Sequence, residues 1–161
     1  MNAPTRAAEL SIRPGRLDDL AQIVEFNHRL ALESEHKSLD HATLTKGVET
    51  LLRDPRLGRY FVAVAGDPAS GPLVGQVMTT EEWSDWRNGL FWWLQSVYVH
   101  ADWRGRGVFR LLLNKVVTQG RAAGVIGLRL YVEDHNERAL ATYRRSGFGD
   151  AGYRVLERLP L

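Results

Sequence analysis

The sequence predicts an α/β fold: a mixed, mostly antiparallel sheet that contains one parallel strand pair and is flanked by helices. Three observations predict it. Residues 60–65 (YFVAVA) and 73–79 are apolar runs on either side of the turn cluster GDPASGP, which makes them an antiparallel hairpin. Residues 90–99 (LFWWLQSVYV) are apolar on both faces, as a strand covered from both sides must be. A helical stripe of Val108, Phe109, Leu112, Leu113, Val116 and Val117 then leads to another strand-like run at 126–132, and a helical crossover makes those two strands parallel.

The remaining elements follow in order. Residues 9–14 (ELSIRP) read as a short strand stopped by Pro14 and Gly15. Leu17, Leu20, Ile23, Val24, Asn27 and Leu30 recur at helical spacing, with Asp18 and Asp19 suited to the positive start of that helix. The polar stretch 33–40 (ESEHKSLD) interrupts the pattern, which Leu44, Val48, Leu51 and Leu52 resume until Asp54-Pro55 ends it. Residues 81–89 (EEWSDWRNG) read as a polar loop, and 100–106 as a turn. A last helix spans 137–146, closed by Gly147 at the C-terminal cap, and the alternating run 151–159 (AGYRVLERL) is expected to form a final strand.

At 161 residues, 44% hydrophobic and 25% charged, the chain is expected to be a single domain, 1–161. It contains no cysteine, which excludes disulfides, thiolate metal sites and a thiol nucleophile and fits a reducing cytoplasm. No apolar run approaches the roughly 20 residues that a membrane helix needs, and MNAPTRAAEL does not resemble a secretion signal. Charge is unevenly spread. Residues 1–103 carry 10 Lys/Arg against 14 Asp/Glu, whereas 104–161 carry 11 against 5, so the C-terminal part is suited to an anion. Its arginines are dispersed among apolar residues, which argues against a nucleic-acid partner.

The segment 97–113 (VYVHADWRGRGVFRLLL) carries the most chemistry, because a buried strand passes through a glycine-bearing turn directly into an amphipathic helix. The first turn of a helix has unpaired N–H groups and the positive end of the helix dipole, and glycines let a phosphate approach the backbone. Gly105 and Gly107 provide that approach, and Arg104 and Arg106 add charge. No Gly-Lys-Ser/Thr follows, so this is not a Walker loop, and no third glycine completes a dinucleotide fingerprint. In 130–148 (LYVEDHNERALATYRRSGF), Asn136 and Tyr143 are seven residues apart and share a helix face, so both could line one elongated ligand. Core packing for Tyr143 and helix N-capping for Asn136 are the competing assignments.

In order and content these two segments resemble the GCN5-related N-acetyltransferase (GNAT) family. Arg104 and Gly107 match the first and fourth positions of its pyrophosphate motif, Arg/Gln-x-x-Gly-x-Gly/Ala, while Phe109 departs from the small residue of the sixth. Asn136, Ala139, Tyr143 and Gly147-Phe148 match its later motif. The resemblance implies acetyl-CoA as co-substrate, with the turn from Arg104 through Gly105, Arg106, Gly107, Val108 and Phe109, together with Asn136, on the cofactor. It implies that the backbone of Val97 and Val99 bonds the pantetheine arm, inserted where the strands 90–99 and 126–132 splay apart. It implies direct transfer of acetyl to an amine, with Tyr143 as the acid that protonates the departing thiolate; a tyrosine, ordinarily protonated at neutral pH, can do this.

The base is less defined. Family members often place a glutamate on the central strand where this chain has Gln95, which cannot take a proton. Glu82 and Glu81 are the nearest substitutes, with Glu133, His100 and His135 as others. Trp83 and Trp86 are candidates for holding the acceptor by burial and cation-π contact, and the acids of 33–40, Glu33 first, for attracting a basic amine. The expected partner is a small-molecule or peptide amine, with no nucleic acid, no membrane and no metal; a homodimer stays open. The competing reading is an acyl-CoA-binding sensor or interaction module without turnover, since Gln95 replaces the base while the cofactor motif is kept.

Overall fold

A computed structural model describes residues 9–160. Five strands form one sheet in the order β1 (Leu10–Pro14), β2 (Arg59–Ala65), β3 (Leu73–Ser84), β4 (Gly89–Val99) and β5 (Val125–Leu130). The first four pair antiparallel and β4 pairs parallel with β5, as the hairpin and crossover signals predict. The described residues also form four α-helices: α1 (Leu20–Glu35), entered through a 3-10 turn at Leu17–Asp19, α2 (His41–Arg53), α3 (Val108–Ala122) and α4 (Glu137–Arg145). The chain falls into two compact units, one through Tyr131 and one from Val132 onward.

Alternation along the strands sorts the sheet into two faces. Tyr60, Val62 and Val64 of β2 pack with Ile23 and Val24 of α1 and Val48 of α2, all less than 5% exposed. The opposite face meets α3: a Cβ at Gly75 would lie 3.0 Å from Val108, and one at Gly120 3.6 Å from the Trp92 ring. β4 is therefore covered on both sides along part of its length, which is why its sequence shows no polar face. Asp19, 8% exposed, locks the start of α1 to β1. Its carboxylate receives Arg13 Nη1 at 2.7 Å and Nη2 at 2.9 Å, and the Arg16 N–H at 2.7 Å.

Two expectations are corrected. Residues 81–84 are not loop: β3 runs through Ser84, and only residues 85–88 turn, with Asn88 at φ 46°. Glu81, Glu82 and Trp83 stand opposite Trp92, Phe91 and Leu90, and the two carboxylates find cationic partners on the sheet, so polar residues continue the strand. Residues 151–159 form no strand; Tyr153, Val155, Leu156 and Leu159 are all more than 60% exposed. Alternation alone does not hold a strand without a ladder to satisfy its backbone.

Candidate active site

The parallel pair parts where the sequence segment of interest begins. β4 is in register with β5 only from Leu90 to Leu94, whereas it follows β3 to Val99. From Gln95 onward, among the described residues, the β5-side edge of β4 has no strand beside it in the ladder. The His100 N–H donates to Val74 O of the β3 side at 2.9 Å, so the carbonyl of the same peptide, Val99 O, points to the parted edge.

The chain then turns into α3. Gly105 and Gly107 have φ of 75° and 80°, a region that side chains resist, and a Cβ at Gly105 would meet no protein atom within 4 Å. Gly107 is the N-cap of α3, with no side chain capping that end. Val108 is buried and anchors the helix, whereas Phe109 is half-buried. The arginines are placed differently from one another. Arg106 lies over the Trp103 ring at 5.1 Å. Arg104 folds back: its Nε donates to Val99 O at 2.9 Å, its Nη2 pairs with Glu33, and its guanidinium lies 5.5 Å from the Tyr98 ring centre.

Glu33 is consequently part of a tether. It sits in the last turn of α1, receives Tyr98 OH at 2.9 Å as well as Arg104, and links the end of α1 to the end of β4. Burial raises its carboxyl, but the hydrogen bonds from Arg104 and Tyr98 outweigh that and hold it below the usual carboxylate range. The Tyr98 hydroxyl is raised by burial first and by the adjacent carboxylate second.

On the α1 face of the sheet, alternation brings together Thr80, Glu82, Phe91, Trp93, Gln95 and Arg129. Glu82 accepts from Arg129 Nη1 at 2.6 Å through one oxygen and from the Trp93 indole N–H through the other. Arg129 lies 4.1 Å from the Phe91 ring centre, and Trp93 stacks on Tyr131 at 4.5 Å. Gln95 Nε2 donates to Thr80 Oγ1 at 2.8 Å across the strands. Glu81 and Trp83 point to the other face, where Glu81 accepts from Arg59 at 3.0 Å. Glu82 and Trp83 therefore do not converge. Trp83 is 60% and Trp86, in the hairpin turn, 85% exposed. His100 Nε2 lies 3.3 Å from Arg29 Nη1.

In the unit that follows Tyr131, the Asn136 side chain caps α4 by accepting the Ala139 N–H at 3.0 Å, the helix-capping role weighed from the sequence. Tyr143 meets Phe148 edge-on at 5.9 Å, and burial raises its hydroxyl, so it keeps its proton throughout the neutral range. Glu133 accepts from the His135 backbone at 3.1 Å.

Sequence reasoning missed Arg129, Thr80, Tyr98, Asn27 and Gln76. A signal existed for two of them: Arg129 is a charge inside an apolar strand run, and Gln76 a polar residue inside LVGQVM. Among the described residues no group of three or more His, Asp or Glu is placed to hold a metal, and no helix is long and apolar enough to cross a membrane.

A strand pair that parts beside a glycine turn entering a helix is the geometry that the segment 97–113 forms, and the family model for the acetyltransferase (GNAT) family matches residues 19–148. The chain belongs to this GNAT family. It is 34% identical over 145 residues to mycothiol acetyltransferase of Propionibacterium freudenreichii subsp. shermanii, covering 86% of this chain and 44% of that protein. It is 30% identical over 90 residues to thialysine N-epsilon-acetyltransferase of Bos taurus, covering 56% of this chain and 52% of that one. The chain thus spans about half the length of these relatives. The crystal structure of a "possible acetyltransferase" from Clostridium difficile 630 superposes with a TM-score of 0.85 at 43% identity, over 94% of this chain and 98% of that one.

Proposed function

We propose that this GNAT chain is one acetyl-CoA-dependent N-acetyltransferase domain that transfers acetyl directly to a primary amine of a small molecule or peptide. The observation that carries this reading is the edge of β4 beyond Leu94, which leads into the glycine turn at the N-terminus of α3. The donor set fits CoA. Gly105 and Gly107 present backbone without Cβ to a diphosphate, and the start of α3 carries the positive end of the helix dipole. Val97 and Val99 offer edge backbone groups to an amide-bearing arm. Because Arg104 occupies Val99 O, the Val99 N–H and the Val97 carbonyl are the ones assigned to it.

Acetyl-CoA supplies an activated thioester when bound; the chain supplies position and protons. Tyr143 donates the proton that the leaving thiolate needs. The amine must be neutral to attack, and Gln95 holds no base. Glu82 through water remains our assignment, ahead of Glu81, with the difference that a proton arriving at Glu82 must displace Arg129 or Trp93 from a carboxylate oxygen. The aromatic floor of Phe91, Trp93 and Tyr131 replaces Trp83 as the surface that shares a face with Glu82, and it suits an amine carried on an apolar or flat body. The bovine relative is named for acetylation of the ε-nitrogen of thialysine, which supports this acceptor class.

The test is thiol release by purified protein with acetyl-CoA and a panel of primary amines. Release that depends on an amine supports the reading. Acetyl-CoA that binds with no amine-dependent release from any member supports the sensor alternative, which the occupied oxygens of Glu82 and the amide at residue 95 favour.

A further inference from the structure

The β4 strand carries a bulge inside the parted edge. Its register with β3 jumps from Met78 opposite Gln95 to Gln76 opposite Tyr98, so Ser96 and Val97 together face Val77 alone. Ser96 sits at φ 49°, a left-handed conformation that an L-residue holds only when its surroundings impose it. Gln76 bonds its carbonyl, and the Tyr60 hydroxyl bonds its side chain. With no exposed surface, Gln76 donates from Nε2 to Ser96 O at 3.2 Å and to Asn27 Oδ1 at 2.8 Å. A backbone carbonyl only accepts, so the bond to Ser96 fixes which amide atom of Gln76 lies there. The order of the remaining bonds follows: Asn27 turns Oδ1 to Gln76, and its Nδ2 donates to the buried Tyr60 hydroxyl at 3.0 Å.

This arrangement is costly for stability. Gln76 Oε1 is buried with no hydrogen-bond partner, which costs stability. The bond to Ser96 O is what the amide gives in return. Gln76 lies on the α1 face, so it draws the Ser96 carbonyl out of the ladder toward that face, and in a trans peptide the Val97 N–H turns the opposite way. The bulge lies between the point where β4 and β5 part and the turn that leads to α3, so an arm running along β4 from that turn brings its acyl end toward this peptide.

We propose that Gln76 is a positioning residue for acetyl transfer: through Ser96 O it holds the Ser96–Val97 peptide rotated so that the Val97 N–H is aimed at the thioester carbonyl. The inference rests on the acetyl-CoA reading above and adds to it a residue remote from the motifs. Asn27 and Tyr60 complete the support by orienting Gln76.

The test compares acetyl-CoA with CoA in calorimetric titrations of the full chain, because only the former presents the carbonyl. Wild type is expected to bind acetyl-CoA roughly 2–10-fold more tightly, the range of one hydrogen bond. Gln76→Leu is expected to lower the melting temperature, since it leaves Asn27 Oδ1 and Ser96 O without that donor, but to keep its CoA dissociation constant within twofold, while the acetyl-CoA preference disappears. Gln76→Met is the replacement should the Leu variant not fold. Ser96→Gly added to Gln76→Leu removes the left-handed penalty at the bulge and should restore at least half of the preference, which a loss of packing would not do. An acetyl-CoA preference that survives Gln76→Leu overturns the inference and leaves the acetyl-CoA reading intact. Wild-type protein that binds neither compound overturns that reading, and the inference with it.

Discussion

Three glycines allow the anion turn to be tested against its own strain. Gly105, Gly107 and Gly124 have φ of 75°, 80° and 73°, so alanine at any of them meets the same backbone resistance, about 1–2 kcal/mol. Steric conflict within the protein adds little. A Cβ at Gly105 or Gly124 has no protein atom within 4 Å, and one at Gly107 lies 3.5 Å from the flexible end of Arg110. In a chain of this length such strain lowers the melting temperature by roughly 2–8 °C at each site. The positions differ in where they stand: Gly105 and Gly107 precede α3, whereas Gly124 follows it. If the diphosphate of CoA lies against the turn, Gly107→Ala should raise the CoA dissociation constant at least tenfold, about 1.4 kcal/mol, while Gly124→Ala leaves it within twofold. Calorimetry beside thermal melts reads both. Unchanged affinity in a folded Gly107→Ala protein, or an equal loss in Gly124→Ala, refutes the placement of the diphosphate.

Tyr143→Phe should lower turnover at least tenfold while moving the acetyl-CoA dissociation constant less than threefold; a wild-type turnover number removes Tyr143 from the acid role. If Glu82 relays the amine proton, kcat/KM has one apparent pKa common to acceptors of different basicity, and Glu82→Gln abolishes it; a limit that tracks each acceptor's own pKa, unaltered in Glu82→Gln and Glu81→Gln, means that the amine arrives neutral without a dedicated base. Asp19→Asn should destabilise the fold by about 3 kcal/mol in urea titrations, since it leaves Arg13, 12% exposed, without its carboxylate. Burial opposes the charge on Asp19, but the bonds from Arg13 and Arg16 win and lower its pKa. Wild-type stability from this pair is therefore present above the ordinary aspartate value near 3.9 and lost as pH falls below it, and the variant should lack that acid-side loss.

The order of elements from β1 to α4 was legible because each carries a local signal. Apolar runs bounded by turn residues marked the β2–β3 hairpin, and the helical stripe from Val108 marked the parallel crossover. What the sequence did not show was how polar residues are paid for by distant partners. Glu81 and Glu82 looked like loop because nothing nearby neutralises them; their partners, Arg59 and Arg129, are 22 and 47 positions away. The run 151–159 misled in the other direction, since alternation predicts a strand whether or not an edge exists to receive it. The glycines at 105 and 107 were legible as a turn between strand and helix, and their positive φ is what the structure adds. The fate of Arg104 was not legible, because its commitment to Val99 O and Glu33 depends on α1 ending beside β4. The bulge at Ser96 coincides with the polar pair Gln95-Ser96, which a reading of 90–99 as one strand apolar on both faces passes over.

The central claim is direct acetyl transfer to an amine, and mass spectrometry with isotope-labelled acetyl-CoA and the amine panel tests it most directly. The account predicts the label on the nitrogen of at least one added amine, with none on the protein at any time in the reaction. Label recovered only as free acetate, attached to the protein before it reaches an amine, or left on CoA with every amine offered, contradicts it.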